Sequence, residues 1–168
     1  IGTSDVVNVA LSASAGFANA GTITIASVET VNITTSDTSV STDLTPVITA
    51  FTAPIVAAAA TSVVVTGNAG LSLAGSTLLA VTSFDASAVT GFVADDGTNA
   101  AGAVTYTTGA LTASVTVKGG AGDDVLNASA TATAGKSVTI FGNGGNDTLT
   151  GSATLASTID GGAGDDAI

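Results

Sequence analysis

The chain has 168 residues, thirteen acidic side chains against two basic ones, and a formal net charge of −11, with no Cys, Met, His or Trp. Those absences exclude disulfides, thiolate metal sites and any nucleophile activated by histidine. The only bases, Lys118 and Lys136, form no basic footprint, which excludes nucleic acid as a partner.

From the N-terminus, VVNVALS (6–12), TITIAS (22–27), VETVNITT (28–35), LTPVITA (44–50), LLAVTSF (78–84) and AVTYTT (103–108) read as strands. They are rich in Val, Ile and Thr, with Gly, Ser and Asp between them and no helical period. The run Ala57–Ala60 lies between Pro54 and the valines at 63–65; it is too short to nucleate a helix, so a loop or a single turn is expected. Residues 50–67 are the most apolar stretch, but Thr52, Pro54, Thr61 and Ser62 interrupt it. It falls short of the ~20 apolar residues that cross a bilayer, so no membrane insertion is expected. The string ADDGTN around Asp95 and Asp96 reads as a surface turn, with an oxygen-ligated cation site there as the alternative.

The last fifty residues carry a repeated turn: GGAGDDVLN (119–127), GNGGNDTLT (142–150) and GGAGDDAI (161–168). With Gly119, Gly142 and Gly161 as position one, position six is Asp124, Asp147 and Asp166, and position eight is Leu126, Leu149 and Ile168. Upstream, Val117, Ile140 and Ile159 align, as do Thr116, Thr139 and Thr158. This period-two alternation marks half-buried strands flanking each turn. Each unit is expected to form one coil of a parallel β-solenoid, with extra residues on the side away from the glycine turns. Stacking ~4.8 Å apart then lines up an aliphatic column inside, a threonine ladder outside and an aspartate column along one edge. VVVTGNAGLSL (63–73) repeats the glycine turn with Ser72 in place of Asp147, as expected of a degenerate coil.

Carboxylates stacked this closely repel, and a hard divalent cation with oxygen ligands removes the repulsion. Calcium accepts a flexible ring of carboxylate and carbonyl oxygens, where magnesium demands a tight octahedron. Six of the acids (Asp123, Asp124, Asp147, Asp160, Asp165 and Asp166) follow residue 120, so charge gathers at the presumed ion sites. The pairs Asp123/Asp124 and Asp165/Asp166 are accounted for by the turns rather than by glycoside hydrolysis, and no enzymatic activity is expected. The turns are similar to the RTX nonapeptide G-G-x-G-x-D-x-U-x, a calcium-binding β-helix repeat.

Several blocks extend the likeness. VETVNITTSDT (28–38), VVVTGNAGL (63–71), AVTSFDASAVTG (80–91), GGAGDD (119–124), TLTGSAT (148–154) and TIDGGAGDD (158–166) resemble the C-terminal half of Caulobacter-type surface-layer proteins, whereas 39–62 and 92–113 diverge. The resemblance implies an extracellular calcium-loaded β-solenoid, exported by a type I system and assembled with copies of itself into a cell-surface lattice. It further implies side-chain ligands at Asp124, Asp147 and Asp166, beside Asp123 and Asp165. Carbonyls of turn residues such as Gly120, Gly122, Asn143, Gly145, Gly162 and Gly164 would complete the shells. The expected organisation is an irregular β-rich part (1–110) with few calcium turns, continuous with RTX-type coils (111–168), in a piece of a longer protein. Cell-surface polysaccharide is an expected partner only through a domain outside this chain. An RTX adhesin, or the calcium-binding secretion module of an enzyme, are the alternative readings.

Overall fold

The computed structural model describes residues 4–14, 18–38, 50–91, 102–130 and 132–168. They form about six turns of a parallel β-solenoid in which strands pair in parallel with the equivalent strands of neighbouring coils. The first coil runs through β1 (Val6–Ala13), β2 (Ala18–Asn19) and β3 (Ile23–Thr24), the second through β4 (Thr30–Asp37), β5 (Ala50–Thr52) and β6 (Ile55–Val56). The third holds β7 (Ser62–Gly67) and β8 (Gly70–Ser72), the fourth β9 (Ser83–Val89) and β10 (Val104–Thr107). The repeat region follows with β11 (Val115–Lys118) and β12 (Val125–Asn127), β13 (Ser137–Gly144) and β14 (Thr148–Thr150), and finally β15 (Ala156–Ala163). Seven strands build one sheet in the order β1-β4-β7-β9-β11-β13-β15 and six build a second, β14-β12-β10-β8-β5-β2. Strands β3 and β6 make a short third side.

The register realises the columns expected from the alignment. Thr116, Thr139 and Thr158 stand level, as do Val117, Ile140 and Ile159. Leu126 pairs with Leu149 in the second sheet. The same inner column continues upstream through Val31, Val63 and Phe84, so one core runs the length of the stack. Val31, Val63, Phe84, Ile140 and Leu126 have no solvent exposure at all. Inside it, Phe84 and Tyr106 stack face to face at 4.0 Å between ring centroids. Ala57–Ala60 forms a turn closed by the Ala60 N–H to the Ala57 carbonyl (3.1 Å). Among the described residues no helix is long and apolar enough to cross a membrane.

One strand expectation needs correction. LLAVTSF is mostly a corner, and its strand begins only at Ser83; its β-propensity reflects Leu78 and Val81 plugging that corner, both buried. Equivalent positions in successive coils are 24, 32, 21, 33, 23 and 19 residues apart. As expected for the repeat units, the difference between the last two falls away from the glycine turns, between β12 and β13. In the two long coils the additional residues fall in sequence between β4 and β5 and between β9 and β10, the strand pairs that flank the turn corner. In the fourth coil Gly91 and Gly102 approach closely, since a Cβ on Gly102 would lie 2.7 Å from the Gly91 Cα. Asp95, Asp96 and all of LTPVITA except Ala50 lie outside the described residues.

The stack makes a packing prediction. Ile140 is fully buried between Val117 and Ile159, and truncation leaves a cavity that neighbouring coils cannot fill. Ile140→Ala should lower the unfolding free energy by about 2–5 kcal/mol, read from urea denaturation in saturating calcium.

Candidate metal centre

At the corner between the two large sheets the three repeat turns stack directly on one another. Gly119, Gly142 and Gly161 follow in-register strand pairs, and Asn143 pairs with Gly162 one residue later. A Cβ on any of the three leading glycines would collide with Oδ2 of its own position-six aspartate. That space belongs to the carboxylate. Gly145 (φ 107°) and Gly164 (φ 136°) adopt backbone conformations that side chains disfavour, and Asn143 (φ 76°) shares the left-handed region with Gly162.

The position-six aspartates point inward and back. Asp147 Oδ1 accepts the N–H of Asp124 (2.8 Å), and Asp166 Oδ1 accepts the N–H of Asp147 (3.0 Å). Asp124 does the same for Val104, the residue at its level in the fourth coil (2.7 Å), while its Oδ2 accepts the Gly120 N–H (2.6 Å). Asp124 and Asp147 are each only 1 % exposed. A second ladder runs the other way at position five, nearer solvent. Asp123 Oδ1 accepts the N–H of Asn146, and Asn146 Oδ1 that of Asp165, both at 2.7 Å. Asn143 adds a bond from Nδ2 to the Gly119 carbonyl (2.8 Å). The position-five ladder and the Asn143 bond escaped the sequence reading. The repeated Asp/Asn/Asp at position five was the signal that could have found the first.

Burial has an electrostatic cost here. Loss of solvent pushes the Asp124 carboxyl up to about 7, against the N–H groups of Val104 and Gly120 that pull it down, with the charges of Asp147 and Asp123 adding to the rise. Burial likewise raises Asp147 to about 6, opposed by the Asp124 N–H and reinforced by Asp166 and Asp123. The smaller rise fits its place nearer the end of the stack, with fewer atoms around it.

The donor set suits a hard cation. Asp147 Oδ2 is buried and accepts no hydrogen bond, a lone pair that an ion would satisfy. Among the described residues no three acidic, His or Cys side chains converge on one point. A shell on Asp147 Oδ2 would need further oxygens; the expected turn carbonyls of Gly120, Gly122, Asn143, Gly145, Gly162 and Gly164 belong to this corner, that of Gly120 already accepting the Gly144 N–H (3.3 Å). All-oxygen ligation of this kind fits calcium.

Upstream, the same corner is closed differently. Strand pairing places Leu71, not Ser72, at the level of Val104 and so of Asp124. This corrects the alignment by one residue, because Gly67 pairs with Val89, whose carbonyl receives the Ala121 N–H, and so corresponds to position two. Leu71 is fully buried and offers no oxygen. The Thr35 hydroxyl, also buried, donates to the Ala69 carbonyl (2.5 Å). The Asn68 amide spans to the Asp37 backbone, accepting its N–H at 2.9 Å and donating to its carbonyl at 3.1 Å.

The fold and these turns define a parallel β-solenoid whose final coils form a calcium-binding β-roll. The RTX calcium-binding nonapeptide repeat family matches residues 114–131, 136–153 and 156–168, the segments that carry both ladders. No curated protein and no solved structure matches the chain. RTX nonapeptide repeats bind calcium ions, and proteins carrying them are typically exported by type I secretion.

The raised carboxyls fix a pH dependence. Both folded values stand above the unfolded value near 3.8, so between about pH 4 and 7 the folded chain holds protons that the unfolded chain has released. Metal-free stability must then fall as pH rises through that window. Melting of the calcium-free protein should drop by ~5 °C or more from pH 4.5 to 7.5. Millimolar calcium should reverse the trend, because the ion displaces those protons.

Proposed function

We propose that this chain is part of a structural, non-catalytic protein of a bacterial surface layer, exported unfolded and closed outside the cell by calcium. The observation that carries the calcium coupling is the pair of interlocking ladders, in which buried carboxylates of one coil complete the turn of another. The ligands are Asp124, Asp147 and Asp166, with Asp123 and Asp165 on the solvent side and the turn carbonyls of Gly120, Gly122, Asn143, Gly145, Gly162 and Gly164. Where calcium is scarce, carboxylate repulsion and glycine entropy hold the coils open. Outside, ions at the 10⁻⁴–10⁻³ M affinities of extracellular modules bind only the closed form and stabilise it. The surface-layer role rests on the upstream blocks that resemble such proteins, and on coil lengths too irregular for the even rolls that trail secreted enzymes. Copies of the chain would then meet through solenoid edges or ion-bridged acidic faces at the cell surface.

Two measurements test this reading. Asp147→Asn keeps an oxygen for the Asp124 N–H but removes the buried charge. It should raise the melting temperature of the metal-free protein while weakening calcium binding about tenfold or more. Lower stability in both states would refute the ligand role. In a chelator titration, amide exchange should rise across the repeat coils from Gly119 onward while β4 (Thr30–Asp37) and β7 (Ser62–Gly67), beside the side-chain-closed corner, stay protected. Particle size by light scattering should fall in parallel; indifference of both fold and size to chelator would end the proposal.

A further inference from the structure

Asn143 is the only asparagine of the sequence that is followed by glycine, and the structure holds that pair in an unusual way. Asn143 takes a positive φ of 76° where the neighbouring coil has Gly162, its side chain exposed on the turn. Its Nδ2 donates to the Gly119 carbonyl (2.8 Å), and the Gly144 N–H donates to the Gly120 carbonyl (3.3 Å). These two nitrogens are the leaving group and the nucleophile of asparagine deamidation. Both are tied to the preceding coil.

We propose that Asn143–Gly144 is a self-modification site gated by closure of the repeat coils. In the open chain the Gly144 backbone nitrogen attacks Asn143 Cγ. The new Cγ–N bond forms as Cγ–Nδ2 breaks, and Nδ2 departs as ammonia with the proton lost by the attacking amide. Solvent water then opens the succinimide at either carbonyl, giving aspartate or isoaspartate. Glycine permits the attack because it has no Cβ to hinder it and a wide choice of backbone angles. In the closed coil the nucleophile is engaged with Gly120 and the amide with Gly119, so the reaction proceeds only through the open fraction.

The products damage this turn in particular. Aspartate at 143 loses the donor to the Gly119 carbonyl and sets a carboxylate against it. Isoaspartate lengthens the backbone just before Gly144–Asp147, shifting both ladders out of register with Gly120–Asp124 and Gly162–Asp166. A chain left without calcium is thereby chemically marked and barred from closing. The inference rests on the calcium-coupled closure proposed above.

The test follows deamidation at 143 by peptide mass spectrometry of the full chain at neutral pH, in calcium, in chelator and in urea, with circular dichroism in parallel. Conversion should be at least about tenfold slower in calcium than in chelator or urea, and the converted fraction should not refold when calcium is restored. Gly144→Ala is the companion variant. A Cβ there would meet nothing closer than the Ala121 Cα at 3.9 Å, so the variant should close in calcium yet resist deamidation in urea. Equal rates in calcium and urea would overturn the proposal, as would Gly144→Ala converting at the parent's rate. If the chain opens in chelator while Asn143 stays intact, this inference falls and the calcium reading stands. If the chain stays closed in chelator, the calcium reading falls, and the contrast between native buffer and urea still decides the gating.

Discussion

The bond on which this structure depends is the one from a buried aspartate to a backbone N–H of the preceding coil. At the corner between the large sheets the N–H groups of Val104 and Asp124 are buried and that of Asp147 is half-buried. An unpaired buried N–H costs about 1–3 kcal/mol, and strand pairing cannot serve it at a corner. Asp147 serves Asp124, Asp166 serves Asp147, and Asp124 serves Val104. Each turn is thus completed by the coil that follows it. The glycine at position one is a direct consequence, because the carboxylate occupies the space its side chain would need.

The chain meets the same constraint in two ways along one continuous core. In the second and third coils, neutral groups close the corner: the Thr35 hydroxyl on the Ala69 carbonyl, and the Asn68 amide on both backbone groups of Asp37. Leu71 fills the level where later coils place an aspartate. From the fifth coil onward, charged carboxylates take over. The first solution holds at any cation concentration; the second is sensitive to what neutralises it. Because Val31, Val63, Phe84, Val117 and Ile140 form one unbroken column, the upstream coils offer a preformed edge on which later coils can stack.

Much of this was legible because solenoid stacking converts sequence alignment into spatial register. The threonine and aliphatic columns at 116/139/158 and 117/140/159 follow from aligning three short strings, and the pairing reproduces them residue for residue. What the alignment could not supply was the offset of a turn lacking the aspartate. GNAG at 67–70 matches GNGG at 142–145 by letter. Yet Val64 stands level with Lys118 through Asp85, and Gly67 with Gly120 through Val89, so this coil has one residue more than the repeat coils before its turn, and a bulge in β9 lies between the two levels. That bulge is held by Ser87, which donates from its backbone and hydroxyl to Asp85 Oδ1, while Lys118 grips Oδ2 at 2.9 Å. Burial raises the Asp85 carboxyl, but the bonds from Ser87 and Lys118 outweigh it and hold the group below its ordinary value. No local pattern in SFDASAV announces the bulge; it follows from a partner 33 positions away.

The charge of the repeat coils then leaves few stable states. Two carboxylates one strand spacing apart repel by about 3–4 kcal/mol at the effective dielectric of a partly buried site. That is a large share of the ~5–15 kcal/mol that holds a domain folded. The turn can protonate, but the carboxyls of Asp124 and Asp147, at about 7 and about 6, stay neutral together only below neutral pH. It can open, which surrenders Leu126, Ile140 and Leu149 to water. Or it can take a cation, which relieves the repulsion, meets the unpaired oxygen of Asp147 and leaves every amide bond in place. Near neutral pH and in an environment rich in calcium, only the last keeps both the core and the charge. The ion therefore acts as part of the fold rather than as a ligand added to it.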